Sequence, residues 1–374
     1  MATWETILKV KFWKATNHMP KCAMFKHGMV VNPRGRVRPC CLFQDTGSGL
    51  DFDKKADWES AFDAYERKMS KGWIPECEEC RLEEIQTDFS LRKMANERYS
   101  SPDTVGRRYW DLKISNTCNL TCRMCSPGDS SSWLQLIKNN LNHIPESEWE
   151  DHLQGHIGKE LSWHNTLLPG VKEEILGADV VKFTGGEPML VKHVKEVIQH
   201  LIDTEFSYDT ELFITTNCTV PFTGWWESII DKFKLVRITL SIDGTNEAFE
   251  YQRAGASWKQ VNDNATILYK LKNKYDNLIV NLNYTNTALN FKCKDDTEKW
   301  AKERGFGWNS GGVEIVNPKY LSYASVDYPI RKRYNIKSNY AFDPKQLAIL
   351  KKQMFLLDKI LDTDFKELYP EFFE

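Results

Sequence analysis

Between Asn116 and Cys125 the chain reads Asn-Thr-Cys-Asn-Leu-Thr-Cys-Arg-Met-Cys, which places Cys118, Cys122 and Cys125 on one short segment. The segment follows an alternating stretch, 109–115, that reads as a strand. Spacings of three and two residues let one loop wrap three thiolates around one metal centre, and the run holds no fourth cysteine. On a [4Fe–4S] cube, three thiolates would leave one iron open to another ligand. Such a loop predicts a redox centre at a strand end.

Strand and helix periodicity alternate from about residue 108 to about 322. Candidate strands at 109–115, 180–185, 211–216, 235–242, 278–285 and 312–317 are rich in Val, Ile, Leu, Phe or Thr. Helical stretches fall at 191–203, 225–232, 258–274 and 295–304. This is the rhythm of a parallel sheet. Six repeats predict an α/β fold, an open partial (β/α)6 barrel of TIM-like kind, with ligand groups at the C-terminal strand ends. The cysteine loop, Gly185, Gly186, Glu187, Asn217, Asp243 and Asn317 all fall at such ends.

The connection 126–179 is longer than an ordinary crossover, which predicts an insertion. It contains a helix-like stretch at 130–140 and a less regular one with His156, Trp163, His164 and Pro169. Near the C-terminus, Leu347, Leu350, Met354, Leu357, Ile360 and Leu361 recur at helical spacing, which predicts a packed terminal helix. The expected organisation is an N-terminal module at 1–105, the barrel at 106–325 and a helical extension at 326–374.

Net charge is −2, from 50 basic and 52 acidic residues, so composition does not support nucleic-acid or membrane-surface binding. The opening Met1-Ala-Thr-Trp-Glu-Thr lacks a basic stretch followed by a long apolar run, and no run of membrane-spanning length occurs. Ten cysteines at clustered spacings then favour metal sites in a reducing, cytoplasmic setting over disulfides.

The Cys-x3-Cys-x2-Cys run resembles the signature of radical S-adenosylmethionine (radical SAM) enzymes. Phe183-Thr-Gly-Gly-Glu-Pro188 resembles that family's GGEP motif, Thr215-Thr-Asn217 the end of its third strand, and Thr239-Leu-Ser-Ile-Asp-Gly244 its fourth. The resemblance implies that Cys118, Cys122 and Cys125 hold a catalytic [4Fe–4S] cluster and that S-adenosylmethionine (SAM) chelates its open iron. An electron would then split SAM into methionine and a 5′-deoxyadenosyl radical. Met124 resembles a residue beside adenine, with core packing the equal alternative. Gly185 and Gly186 allow close backbone approach, Glu187 resembles the residue near the methionine amino group, and Pro188 would stiffen the turn. Asn217 and Ser241 are candidates for the ribose or carboxylate, Arg253 for neutralising the carboxylate, and Asp243 for a supporting acceptor. Val316 or its neighbours are candidates for adenine contact. Tyr320, Tyr323 and His164 are weaker candidates for substrate contact; Cys218 reads as a buried thiol, and Cys293, in a lysine- and aspartate-rich turn, is a still weaker candidate for chemistry.

A second group precedes the barrel: Cys22, Cys40, Cys41, Cys77 and Cys80. Residues 30–41 read as strand, turn and strand, with Asn32-Pro-Arg-Gly35 as the turn. Four thiolates follow, from Cys22, Cys40 or Cys41, Cys77 and Cys80, and suit zinc or an iron–sulfur cluster. The pattern resembles the twitch or SPASM modules, which implies a second, auxiliary [4Fe–4S] cluster here, although such modules more often follow the barrel.

The expected function is a radical SAM oxidoreductase that abstracts hydrogen from a peptide or protein. The runner-up substrate is a small molecule such as a nucleotide or sugar, and a non-catalytic iron–sulfur scaffold is the remaining alternative. A reducing partner such as flavodoxin or ferredoxin is implied.

Overall fold

The computed structural model describes residues 20–44, 49–87, 89–145, 148, 168–309, 314–315, 318–338 and 340–374. The chain divides into two compact units, one of residues 1–115, 161–184 and 193–212, the other of 116–160, 185–192 and 213–374.

In the first unit, β1 (Gly28–Val31) and β2 (Val37–Arg38) form the expected antiparallel hairpin. Asn32 builds its turn: the side-chain oxygen accepts from the Arg34 and Arg36 amides at 2.9 and 3.1 Å, and Gly35 takes a φ of 74°. β1 also pairs in parallel with β3 (Tyr109–Leu112), Val30 opposite Asp111, and β3 pairs in parallel with β4 (Val180–Phe183). The hairpin is thus an extension of the sheet, which its local sequence does not announce. Helix Lys192–Asp203 buries Val194, Val197, Ile198 and Leu201, one stripe at helical spacing.

β5 (Glu211–Thr216) begins in the first unit and ends in the second. There, β6 (Leu235–Ser241), β7 (Leu278–Asn283) and β8 (Gly307–Asn309) pair in parallel, with helices Trp258–Lys272 and Lys294–Glu303 connecting them. The α/β alternation and the parallel pairings of β3 with β4, of β6 with β7 and of β7 with β8 are those of a partial barrel. A strand at 312–317 was expected; only Glu314 and Ile315 of it are described, with Glu314 bridged to Asn286, while β8 supplies the parallel neighbour of β7. Val316 and Asn317, like His156, Trp163 and His164, lie outside the described residues.

The second unit's core includes Leu350, Met354 and Leu357 of helix Pro344–Leu361, packed with Trp133, Phe365 and Tyr369. Each such fully buried side chain stabilises by about 1.5–3 kcal/mol. Tyr320 and Tyr323 belong to this core, and Met124 packs against it. No described helix is long and apolar enough to cross a membrane.

Candidate functional site

The second unit brings the cysteine loop together with Gly185, Gly186, Glu187, Asn217 and Asp243. Glycines are required at the turn after β4: Gly185 and Gly186 have φ of 73° and 52°, and a Cβ on Gly186 would lie 2.3 Å from the Thr117 carbonyl oxygen. That close approach puts the Gly-Gly turn against the segment entering the cysteine loop. The Glu187 amide completes the contact by donating to the same Thr117 oxygen at 2.7 Å.

Glu187 is fully enclosed. One carboxylate oxygen accepts from the Met189 amide at 3.1 Å and the Thr216 hydroxyl at 2.8 Å, and the other from the Asn217 amide at 2.7 Å. Burial pushes its pKa up to about 7 against the pull of these donors. The side chain therefore ties the turn after β4 to the end of β5. Asn217, held this way, points its amide nitrogen at Cys118 Sγ (3.9 Å) and at Asn119 Oδ1 (3.1 Å). Thr219 donates back to Asn217 through both its amide and its hydroxyl. Asn119 and Thr219 were not singled out in the sequence.

Asp243, just past β6, is buried. One carboxylate oxygen takes two guanidinium N–H groups of Arg253, the Nε contact at 3.0 Å, and the other accepts from the Thr285 amide at 2.8 Å. Arg253 directs its other terminal nitrogen at Cys122 Sγ, 3.8 Å away. Burial pulls the Arg253 pKa down, but Asp243 and then Cys122 more than reverse it, so the guanidinium stays charged. Burial pushes the Cys122 thiol up to about 11, with Arg253 opposing, and it raises Cys118 and Cys125 as well. Ser241 ends β6 half-exposed, and Pro188 opens the short helix Pro188–Leu190 that Glu187 caps. Cys218 is buried, its thiol donating to the Val261 carbonyl at 3.8 Å.

The loop fits an iron–sulfur cube. Three thiols lie on one loop, and N–H donors face two of them, which suits an anionic sulfur centre. Among the described residues no three His, Cys, Asp or Glu side chains are grouped to hold a single metal ion. A cube binds each thiolate at a different corner and does not ask for that convergence.

In the first unit, Cys22, Cys40, Cys77 and Cys80 line one small, largely apolar cavity with Met69 and Arg92. Burial pushes Cys22 up to about 11 and Cys80 up to about 12. Cys40 is raised first by burial and then by the neighbouring thiols, and Cys77 likewise. Arg92 counters this charge at Cys22 and Cys77, and its backbone amide donates to Cys80. It is itself anchored by Glu84 through contacts of 2.8 and 2.7 Å. Cys41 does not line the cavity, although its thiol acts on Cys40 more than the other thiols do and is also felt by Tyr109 and Lys182.

The family model described as "Radical SAM superfamily" matches residues 112–287. A GTP 3′,8-cyclase of Mycobacterium ulcerans is 31% identical over 119 residues, which cover 31% of this chain and 26% of the relative. GTP 3′,8-cyclase 2 of Mycobacterium tuberculosis is 33% identical over 100 residues, covering 26% and 22%. The matches thus span only about a quarter of the relatives' own length. Among solved structures, anSMEcpe with bound AdoMet is similar at a TM-score of 0.40 and 18% identity, covering 66% of this chain and 58% of that one. Streptococcus suis SuiB bound to S-adenosylmethionine is similar at 0.35 and 14%, covering 60% and 42%.

Proposed function

On the premise that this chain carries a radical SAM superfamily domain over residues 112–287, we propose that it is a radical SAM enzyme that abstracts hydrogen from its substrate. The observation that carries the reading is the meeting of the Cys118–Cys125 loop with the Gly185-Gly186-Glu187 turn, Asn217 and Arg253 in one unit. When bound, a [4Fe–4S] cluster with SAM on its open iron supplies reductive cleavage of SAM to methionine and a 5′-deoxyadenosyl radical.

The chain's own residues bind and orient. Cys118, Cys122 and Cys125 hold the cluster, and the Asn217 amide and the Arg253 guanidinium offset thiolate charge. Arg253, its orientation fixed by Asp243, would also meet the SAM carboxylate. Gly185 and Gly186 let the main chain approach the SAM amino end, and Glu187 with Pro188 keeps that turn rigid. Ser241 lies at a strand end suited to the ribose. Met124, beside the third cysteine and packed against the core, suits adenine contact and core packing equally.

We assign the N-terminal cavity a second [4Fe–4S] cluster held by Cys22, Cys40, Cys77 and Cys80. The four thiols share one cavity and Arg92 supplies the compensating charge. Such a cluster would accept an electron from a substrate radical, which favours a net oxidation or cross-link on a peptide or protein. A flavodoxin or ferredoxin in the cytoplasm is the proposed reductant. A second substrate reading, a nucleotide, is supported by the similarity to GTP 3′,8-cyclases.

The two readings separate by isotope transfer. Reduced, reconstituted enzyme is given SAM with perdeuterated cell peptides in one arm and perdeuterated nucleotides in another, and 5′-deoxyadenosine is weighed by mass spectrometry. Deuterium arriving only from peptides supports the first reading, and only from nucleotides the second. Unlabelled product in both arms contradicts both.

A further inference from the structure

Resting on that functional reading, we infer that Arg123 and Asp358 are positioning residues for the cluster. Through this buried pair the C-terminal segment fixes the loop that carries Cys122 and Cys125. Arg123 directly follows Cys122, and its side chain is wholly shielded from solvent. Its guanidinium donates to Asp358 Oδ1 at 3.1 Å, to the Thr363 hydroxyl at 2.7 Å and to the Tyr251 carbonyl. It also stacks on the Tyr251 ring, 3.6 Å from the centroid.

Asp358 is the hub of this node. Besides Arg123 it accepts from the Tyr251 hydroxyl at 3.1 Å, the Thr363 hydroxyl at 2.6 Å and the Phe365 amide at 2.7 Å. The main chain grips the same loop: the Thr121 amide donates to Ala254 at 2.9 Å and the Arg123 amide to Gln252 at 2.8 Å. Arg253, within that gripping stretch, is the residue that reaches Cys122. One short strip, 251–254, therefore holds the loop backbone, the Arg123 charge and the Cys122 sulfur together, and Asp358 locks it from the terminal helix.

The charge makes the lock specific. An apolar side chain at position 123 would fill the same core, whereas a buried guanidinium needs its counter-ion in a fixed direction. Without Asp358 the cation is left buried and uncompensated, with the thiolates of its own loop as the alternative anions. The loop then has reason to leave the geometry the cluster needs.

The test uses the full chain, anaerobically reconstituted and reduced, and reads the fraction of the cluster's paramagnetic resonance signal that changes on adding SAM. Asp358→Asn is expected to keep the far-ultraviolet circular dichroism of the parent and to lose about tenfold of the SAM-responsive fraction, as expected when a partner of a metal ligand's support is removed. Leu350→Ala, in the same helix but away from the node, is the stability control and is expected to keep the parent fraction even when it melts lower. A parent-like fraction in Asp358→Asn, or an equal loss in Leu350→Ala, overturns the inference. Should Asp358→Asn fail to fold, Arg123→Lys keeps the charge and loses the fork; a reduced SAM-responsive fraction supports the inference and a parent-like one overturns it. A parent protein with loaded iron and no SAM-responsive signal would overturn the functional reading, and the inference with it.

Discussion

Glu187 offers a prediction whose size follows from its surroundings. The carboxyl is fully buried, accepts three hydrogen bonds and titrates near 7, against an ordinary 4.5. Because the folded pKa is raised, the neutral form is favoured in the native state. The associated stability is fully present below about 4.5 and is lost as pH rises through about 7. The total loss is about 3.4 kcal/mol, since each tenfold change in proton affinity is worth about 1.36 kcal/mol. Between pH 6 and pH 8 the share lost is about 1.3 kcal/mol. Glu187→Gln cannot titrate, so its stability should fall less by that amount over the same interval, whatever its absolute level. Urea unfolding of both proteins at the two pH values, followed by tryptophan fluorescence, gives the double difference directly and cancels groups that titrate alike in both. Parallel pH profiles would refute the reasoning, and a parent that gains stability relative to Glu187→Gln as pH rises would show that the hydrogen bonds outweigh burial.

Cys40→Ala should lower the iron content of reconstituted protein by roughly four atoms per chain, while Cys41→Ala leaves it unchanged; iron assay checks both. Gly186→Ala forces a Cβ against the Thr117 carbonyl at a φ of 52° and should destabilise by about 1–3 kcal/mol in urea unfolding. Asp243→Asn leaves the buried Arg253 without its counter-charge and should cost about 3–5 kcal/mol in the same assay.

The barrel strands were legible because each is a short β-branched or apolar run between turn residues. β5 matches its expected bounds, and β6 and β7 end within two residues of theirs. The cysteine loop was legible from its spacing, and the Gly-Gly turn from its place after a predicted strand together with its resemblance to a family motif. Four features were not. β8 is only Gly307–Asn309, too short for any periodicity to show. The parallel pairing of β1 with β3 joins stretches far apart in the chain, which strand propensity does not encode. Arg123 reads as a spacer within the cysteine run because its counter-ion, Asp358, is 235 residues away. Likewise the choice between Cys40 and Cys41 depends on which way each side chain leaves the end of the hairpin. Cys40 and Cys41 lie in the bend and turn just past β2, where no strand alternation fixes the side-chain direction, so only packing could decide it.

The central claim is tested most directly by reducing the anaerobically reconstituted chain with dithionite, adding SAM and measuring 5′-deoxyadenosine. Beside the parent runs a variant with Cys118, Cys122 and Cys125 all replaced by alanine. The account predicts 5′-deoxyadenosine from the parent alone, with the variant retaining the iron bound by the N-terminal cysteines. Fully iron-loaded parent protein that forms no 5′-deoxyadenosine, with or without the peptide and nucleotide pools, would contradict it, as would equal product from the triple variant.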